Sequence, residues 1–265
     1  MDHQIHLDHI ALAAEVAFDN FDRYAGDLGG RLVGGGFDPG FYWGQVVFEG
    51  GMKLEMLEPY NWHEFDFLRR FLDRNGPGPH HCTFKVPDIR AAVASVRAAG
   101  YQVVGERFED PEWQEAFIHP KSSHGIVVQL AEVPVDSQSP EQADTPPARS
   151  GSQARLERIV HLVDDLSEPP KLFEDLLGGR RVDEGENSEG RFIDLQWPVD
   201  GNIRLLSPTA PEAVAWLGSR SGRNYRLEFS VTDPARVTGA REMSPGRFEL
   251  KPEDNLGTRL HLLRR

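Results

Sequence analysis

The chain has 265 residues, 39% of them hydrophobic, enough to bury a substantial core in one large domain or two of ordinary size. Its formal net charge of −13 argues against broad binding to a phosphate backbone, and no apolar run approaches the roughly 20 residues that span a bilayer. The start MDHQIHLDH lacks the basic-then-apolar pattern of a secretory leader, and the single cysteine, Cys82, excludes disulfide frameworks and cysteine-rich zinc sites. The expectation is a cytoplasmic protein with a small-molecule ligand, no nucleic acid and no membrane, in which any metal is held by His, carboxylate or amide groups.

LDHIALA, from Leu7, reads as a short alternating strand, and VAFDNFDRYAGDLGG as an amphipathic helix ending at paired glycines. Three strands follow, around Gly35 to Phe37, in YWGQVVF and in MKLEML. WHEFDFLRRFLDRNG is a second helix with a solvated charged face. The order then repeats: HHCTFKV a strand, DIRAAVASVRAAG a helix, and YQVVGE, EAFIHP and GIVVQLAE strands. That is βαβββ twice.

From Pro134 to Gln153 the sequence PVDSQSPEQADTPPARSGSQ has almost nothing to bury and reads as a flexible linker. Beyond it the first half recurs. LDHIAL resembles LERIVHL, DLGGRLV resembles LLGGRRV, and KLEMLEP resembles NIRLLSP; Leu7 and Leu156, Gly29 and Gly178, Pro59 and Pro208 all stand 149 apart. The spacing falls to 145 between Asp88 and Asp233 and to 132 between His119 and Lys251, as deletions in the second copy would produce. The expected fold is α+β: four βαβββ modules forming two domains, 1–133 and 154–265, with only PARVTGAREM left for the last helix. Two fused domains mimic the pairing of a dimer, so a monomer or a homodimer is expected.

Period-two alternation sorts the side chains by face. Ile10 and Leu12 point one way and His9 the other; Leu54 and Met56 oppose Glu55; Phe84 and Val86 oppose His81; Val128 and Leu130 oppose Gln129. Each of these polar residues alone is an ordinary occupant of a half-exposed sheet. Together two His, one Glu and one Gln converge on the non-core faces of four strands, while His80, next in line, points away from His81.

These residues and the module order resemble the vicinal oxygen chelate superfamily, which includes glyoxalases, methylmalonyl-CoA epimerases, extradiol dioxygenases and bleomycin-resistance proteins. The resemblance covers the whole first domain, and LEMLEP, the HH pair and HPKSSHG are similar to the epimerase-like branch. It implies two domains, each a curved mixed β-sheet cupping a cavity with helices outside. It also implies one metal ligand from the first and last strand of each module: His9, Glu55, His81 and Gln129. Such a set suits a divalent Fe, Mn, Ni, Co or Zn ion with open positions for a bidentate oxygen ligand. The sequence departs from the family at Gln129, usually Glu and here a poor general base, and in FYWGQVV, which lacks the second base glutamate. In the second domain Arg158, Arg204 and Arg226 stand at the positions of His9, Glu55 and His81, and His261 at that of Gln129. Three arginines hold no cation; their role is structural, or they form a pocket for an anion.

The implied activity is a metal-dependent lyase or isomerase of the glyoxalase and epimerase type, acting on a small oxygen-rich metabolite through a chelated enediolate. Glu55, as a displaceable ligand, and Glu115 are the candidate catalytic carboxylates; Glu115 equally suits an exposed strand. Trp43 and Trp113 are candidate pocket walls or ordinary core, and Lys121 a candidate substrate contact or part of a hairpin turn. Gln129 fits a pocket hydrogen-bonder as well as a ligand. A non-catalytic antibiotic or metabolite binder and an Fe(II) ring-cleaving dioxygenase are the alternatives.

Overall fold

The computed structural model describes residues 4–134 and 147–265. The first module comprises β1 (His6–Ala13), β2 (Arg31–Asp38), β3 (Phe41–Val47) and β4 (Lys53–Pro59); helix α1 (Phe67–Asn75) leads to the second. There β5 (Gly78–Lys85) is followed by helix α2 (Ile89–Ala98) and by β6 (Val103–Arg107), β7 (Gln114–Ile118) and β8 (Val127–Glu132). The third holds β9 (Arg155–Val163), β10 (Arg180–Asn187), β11 (Gly190–Gln196) and β12 (Asn202–Pro208), and helix α3 (Pro211–Leu217) leads to the fourth. That last module is β13 (Gly222–Val231), β14 (Arg241–Ser244), β15 (Arg247–Leu250) and β16 (Arg259–Arg264).

Two mixed eight-stranded sheets result, ordered β2-β3-β4-β1-β5-β8-β7-β6 and β10-β11-β12-β9-β13-β16-β15-β14. Within each module the first strand pairs in parallel with the fourth, and the remaining neighbours are antiparallel hairpins. The expected α+β fold of four four-stranded modules in two mixed sheets is what the chain forms, with an α-helix after the first strand only in the second module. The register reproduces the internal repeat: Ala11 pairs with Glu55 as Val160 pairs with Arg204, and Thr83 with Gln129 as Glu228 with His261.

Local chemistry explains the joints. Pro39 and Gly40 close the two-residue β2–β3 hairpin; Gly40 has φ +98, and a Cβ there would lie 2.6 Å from the Phe65 Cβ. Helix α2 starts at Asp88, whose carboxylate accepts from the Ala91 amide at 2.8 Å, and buries Ile89, Val93 and Val96 along one stripe.

The helices differ from expectation in four places, one of them the third module, where the stretch after β9 forms a π turn at Lys171–Leu176. Instead of one amphipathic helix, the stretch after β1 forms a tight 3₁₀ turn at Ala17–Asn20 and a wide π turn at Arg23–Asp27, closed by the Leu28 amide donating to the Arg23 carbonyl. Helix α1 begins only at Phe67, because Trp62 and Phe65 stay exposed and only Leu68 and Leu72 are buried along it. In the fourth module the expected short helix is a three-residue turn, Pro234–Arg236.

The chain divides into two compact units. One contains the described residues of Met1–Asp8, His81–Gln138 and Arg158–Tyr225. In it Phe84 and Trp197 pack with ring centroids 5.3 Å apart, and His161 Nε2 lies 2.7 Å from the His124 carbonyl. The other contains His9–His80, Arg226–Arg265 and the described residues of Ser139–Glu157. Its contacts include Phe48 against Phe229 at 4.9 Å and the Tyr24 hydroxyl donating to Asn255 at 3.1 Å. Of the expected linker, residues 135–146 lie outside the described ones. Its last residues are packed: Arg149 bridges Asp22 and Asp27, at 2.6 Å from each, and Ser150 is buried.

Candidate metal centre

Four strands carry the candidate ligands, and pairing decides which side chains share a face. Ala11 sits beside Glu55, and Gln45 of β3 lies on the other side of Glu55, so His9, Ala11, Glu55 and Gln45 point the same way. Likewise His81 and Thr83 of β5 sit beside Val127 and Gln129 of β8, with Phe117 and Glu115 of β7 beyond.

His9, Glu55 and His81 are all buried, and each offers one ligand atom within 4.8 Å of the other two. His9 Nε2 stands 3.5 Å from Glu55 Oε2. Donors bound at roughly 2.0–2.2 Å to a tetrahedral ion sit about 3.3–3.5 Å apart, so this pair already has the separation of two neighbours on one ion. Two imidazoles and a carboxylate form a borderline-hard donor set that fits a divalent first-row metal. The other Glu55 oxygen, Oε1, accepts from Gln45 Nε2 at 2.9 Å, fixing the rotation of the carboxylate. Phe117 packs its ring against His81 at 6.4 Å. His80 lies outside the cluster: its ring packs on Phe71 at 4.7 Å, and burial pushes its imidazole down to about 4, keeping it neutral at physiological pH.

Gln129 is buried beside Thr83, and its amide is held at both ends. Its Nε2 donates to Glu115 Oε2 at 2.6 Å, and its Oε1 accepts from the Thr83 hydroxyl at 2.5 Å. Because a carboxylate only accepts, the nitrogen end must face Glu115 and the oxygen end Thr83. Glu115 is itself surrounded by donors. Arg107 reaches Oε1 through Nε at 2.7 Å and a terminal nitrogen at 2.5 Å, and Trp113 Nε1 reaches Oε2 at 2.9 Å. With Gln129 the carboxylate thus accepts three hydrogen bonds and pairs with one guanidinium.

The remaining candidates take separate places. Trp43, on the Glu55 face, packs with Ala11, Ala13 and Leu57 under Leu68 and Leu72 of α1, giving an apolar wall beside the polar cluster. Trp113 is tied to Glu115 by its indole N–H. Lys121 is exposed in the turn before β8, where its amide donates to His119 Nδ1 at 3.2 Å.

A family model described as the Glyoxalase/Bleomycin resistance protein/Dioxygenase superfamily matches residues 8–118. Over 133 residues the chain is 30% identical to the ethylmalonyl-CoA/methylmalonyl-CoA epimerase of Cereibacter sphaeroides, a match covering 48% of this chain and 97% of that protein. The chain belongs to the glyoxalase/bleomycin resistance/dioxygenase superfamily. It is also 28% identical to the mitochondrial methylmalonyl-CoA epimerase of Dictyostelium discoideum over 136 residues, 48% of this chain and 77% of the other. Among solved structures it resembles methylmalonyl-CoA epimerase from Mycobacterium tuberculosis at 25% identity and a TM-score of 0.42, covering 48% of this chain and 87% of that one.

The second sheet repeats the strand order of the first with opposite chemistry. Arg204, at the Glu55 position, grips Asp194 of β11 through two bonds of 2.6 Å, and Arg158 donates to the same carboxylate at 2.9 Å. Arg204 also lies over the Phe192 ring at 4.0 Å. Farther along the sheet Arg226 pairs with Glu228 at 2.7 Å, and Arg259 with Glu249 at 2.6 Å. The cationic side chains that rule out a metal there are thus engaged by carboxylates in this same sheet.

Three residues of the first sheet escaped the sequence reading: Gln45, Thr83 and Arg107. Gln45 was in phase with Glu55 only once the β3–β4 register was known, and Thr83 stands two residues beyond His81, in the same phase. Arg107 lies across a register shift between Val104 and Arg107 that no alternation rule anticipates.

Proposed function

We propose that this protein is a metal-dependent isomerase or lyase of the glyoxalase and epimerase kind. It would move a proton on a carbon next to a carbonyl, in a small substrate that presents two neighbouring oxygens. The observation that carries this reading is the buried group of His9, Glu55 and His81, with one ligand atom from each within 4.8 Å of the others. A divalent ion held there would polarise the chelated carbonyl and stabilise the enediolate formed when the proton leaves. The names of the relatives, epimerases of ethylmalonyl-CoA and methylmalonyl-CoA, make an α-carboxy acyl thioester the substrate class to test first.

The chain's own residues divide the remaining tasks. Gln45 fixes Glu55 Oε1, leaving Oε2 toward His9, and we assign the proton step to Glu55 as a displaceable ligand, its Oε2 leaving the ion to take the proton. Glu115 is already engaged by three hydrogen-bond donors and the Arg107 charge, so its assigned role is to orient Gln129. Trp43 and the apolar wall beside it exclude water from the reacting carbon. Lys121 and Trp113 are assigned to the substrate's more distant parts. Domains at 1–133 and 154–265 complete the proposal, the first carrying the centre and the second none.

The test is metal analysis of protein purified without a histidine tag or chelator, together with proton NMR of methylmalonyl-CoA in D₂O. Near-stoichiometric first-row metal and enzyme-dependent loss of the α-proton signal, both abolished in His9→Ala and Glu55→Ala, are expected. No metal uptake even after reconstitution would overturn the proposal. One observation favours a second reading: Glu115 is engaged by Arg107, Trp113 and Gln129 and is not poised as a second base, which suits a protein that binds such a ligand without turning it over. Metal uptake with tight ligand binding and no exchange would select it.

A further inference from the structure

The two modules of the first sheet are built to the same register, yet their last-strand polar residues behave differently. Glu55 on β4 sits beside Ala11 on β1, and Gln129 on β8 sits beside Thr83 on β5. Each also lies two residues out of step with a histidine, His9 and His81. Backbone geometry therefore gives Gln129 the same reach toward His81 that Glu55 has toward His9. What differs is the neighbour. Ala11 is a methyl group and offers Glu55 nothing, so the carboxylate leans to His9 at 3.5 Å. Thr83 is a fully buried hydroxyl, and it takes the Gln129 oxygen at 2.5 Å.

The far end of the amide is locked as well. Gln129 Nε2 is held by Glu115 at 2.6 Å, and Glu115 is held in turn by Arg107 and Trp113. To turn its oxygen fully onto an ion beside His81, Gln129 would have to give up the Thr83 hydroxyl and swing its Nε2 away from Glu115, which Arg107 and Trp113 hold in place.

We propose that Thr83, backed by Glu115, holds Gln129 out of the metal sphere, so that the centre has three protein ligands, His9, Glu55 and His81. An ion so held would keep open positions for a substrate's two vicinal oxygens. Thr83 and Glu115 are then positioning residues that act through Gln129. This inference rests on the metal reading of the His–Glu–His group, and the test separates the two.

Metal-free protein is titrated with Co(II), following heat release and the visible absorption of the ion, with thermal midpoints recorded for every variant. Wild type binds one Co(II). Gln129→Ala is expected to keep that stoichiometry and an affinity within about threefold of wild type, well short of the tenfold or more that loss of a ligand or its direct support costs. Thr83→Val, isosteric but without the hydroxyl, removes one of the two bonds that hold the amide and leaves only the Glu115 bond to give way: Co(II) affinity should rise and the absorption should change. Both effects should vanish in the double variant Thr83→Val/Gln129→Ala. A tenfold or greater loss in Gln129→Ala at an unchanged thermal midpoint would overturn the inference while leaving the centre intact. If Gln129→Ala is unstable, Gln129→Met keeps the volume and is read the same way. Failure of wild type to bind Co(II) would overturn both the centre and the inference.

Discussion

The two sheets share one register and almost nothing of their polar chemistry. Where the first sheet has His9, Glu55 and Gln45, the second has Arg158, Arg204 and Asp194, and the pairings Ala11–Glu55 and Val160–Arg204 show that the positions are the same. The first set leaves one carboxylate oxygen facing an imidazole at 3.5 Å; the second closes on itself, two guanidiniums on one carboxylate. A duplicated scaffold can thus turn a cation-binding site into a self-neutralising network by side-chain replacement alone. The backbone does not need to move.

The sharpest way to break that comparison is to remove the shared carboxylate. Asp194→Ala leaves Arg158 and Arg204 facing each other without the anion they share, in a place where Arg204 is only 14% exposed. Breaking such a pair costs about 3 kcal/mol when fully buried, and about 2 kcal/mol with the residual exposure here. For a chain of this size that lowers the thermal midpoint by about 4–8 °C. Glu55→Ala in the first sheet should lower it far less and abolish metal uptake instead. Equal midpoints for the two variants would show that the second-sheet network is not structural.

The repeat, and with it the fold, was legible because it is written in residue identity and spacing: constant offsets of 149 are hard to produce by chance. The ligand positions were legible because alternation has a period of two, which needs only strand existence and not exact ends. The irregular turns after β1 were not legible, since an apolar stripe over 16–30 is the same for one α-helix as for a tight turn followed by a wide one. Nor were Gln45 and Thr83, because a polar partner across a sheet depends on register, and register is set by hairpin and crossover lengths that leave no local trace. Arg158, Arg204 and Arg226 of the second sheet were visible, but the carboxylates that receive them, Asp194 and Glu228, were not.

A second, smaller effect concerns acidity. His161 is buried, with Nε2 at the His124 carbonyl and Nδ1 3.1 Å from Asn224, and burial pushes its imidazole below the usual histidine range. A depressed folded-state pKa means the unfolded chain takes up the proton first. The associated stability is therefore complete above about pH 6.5 and is lost as pH falls, by at most about 1.4 kcal/mol per unit. The thermal midpoint should drop between pH 6.5 and 5, and His161→Asn, which keeps a donor for the His124 carbonyl, should show a shallower drop. Identical slopes would assign the acid sensitivity to other groups.

The smallest predicted effect sharpens the comparison within the first sheet. If the neighbour in the register decides whether a polar side chain is free for the metal, then giving Glu55 the neighbour that Gln129 has should weaken the centre. Ala11→Ser places a hydroxyl beside Glu55, in a position that is fully buried and packed under α1. A hydroxyl–carboxylate bond is worth about 1 kcal/mol net, so Co(II) affinity should fall by about fivefold, through competition and not through loss of a ligand. Ala11→Gly separates this from packing, since it disturbs the same contacts without offering a donor, and it should leave the affinity near wild type. If serine and glycine weaken binding equally, the cause is the wall beside the centre. If serine alone weakens it, then Ala11 and Thr83 are the pair of residues by which two modules of identical register give one carboxylate to the ion and withhold one amide from it.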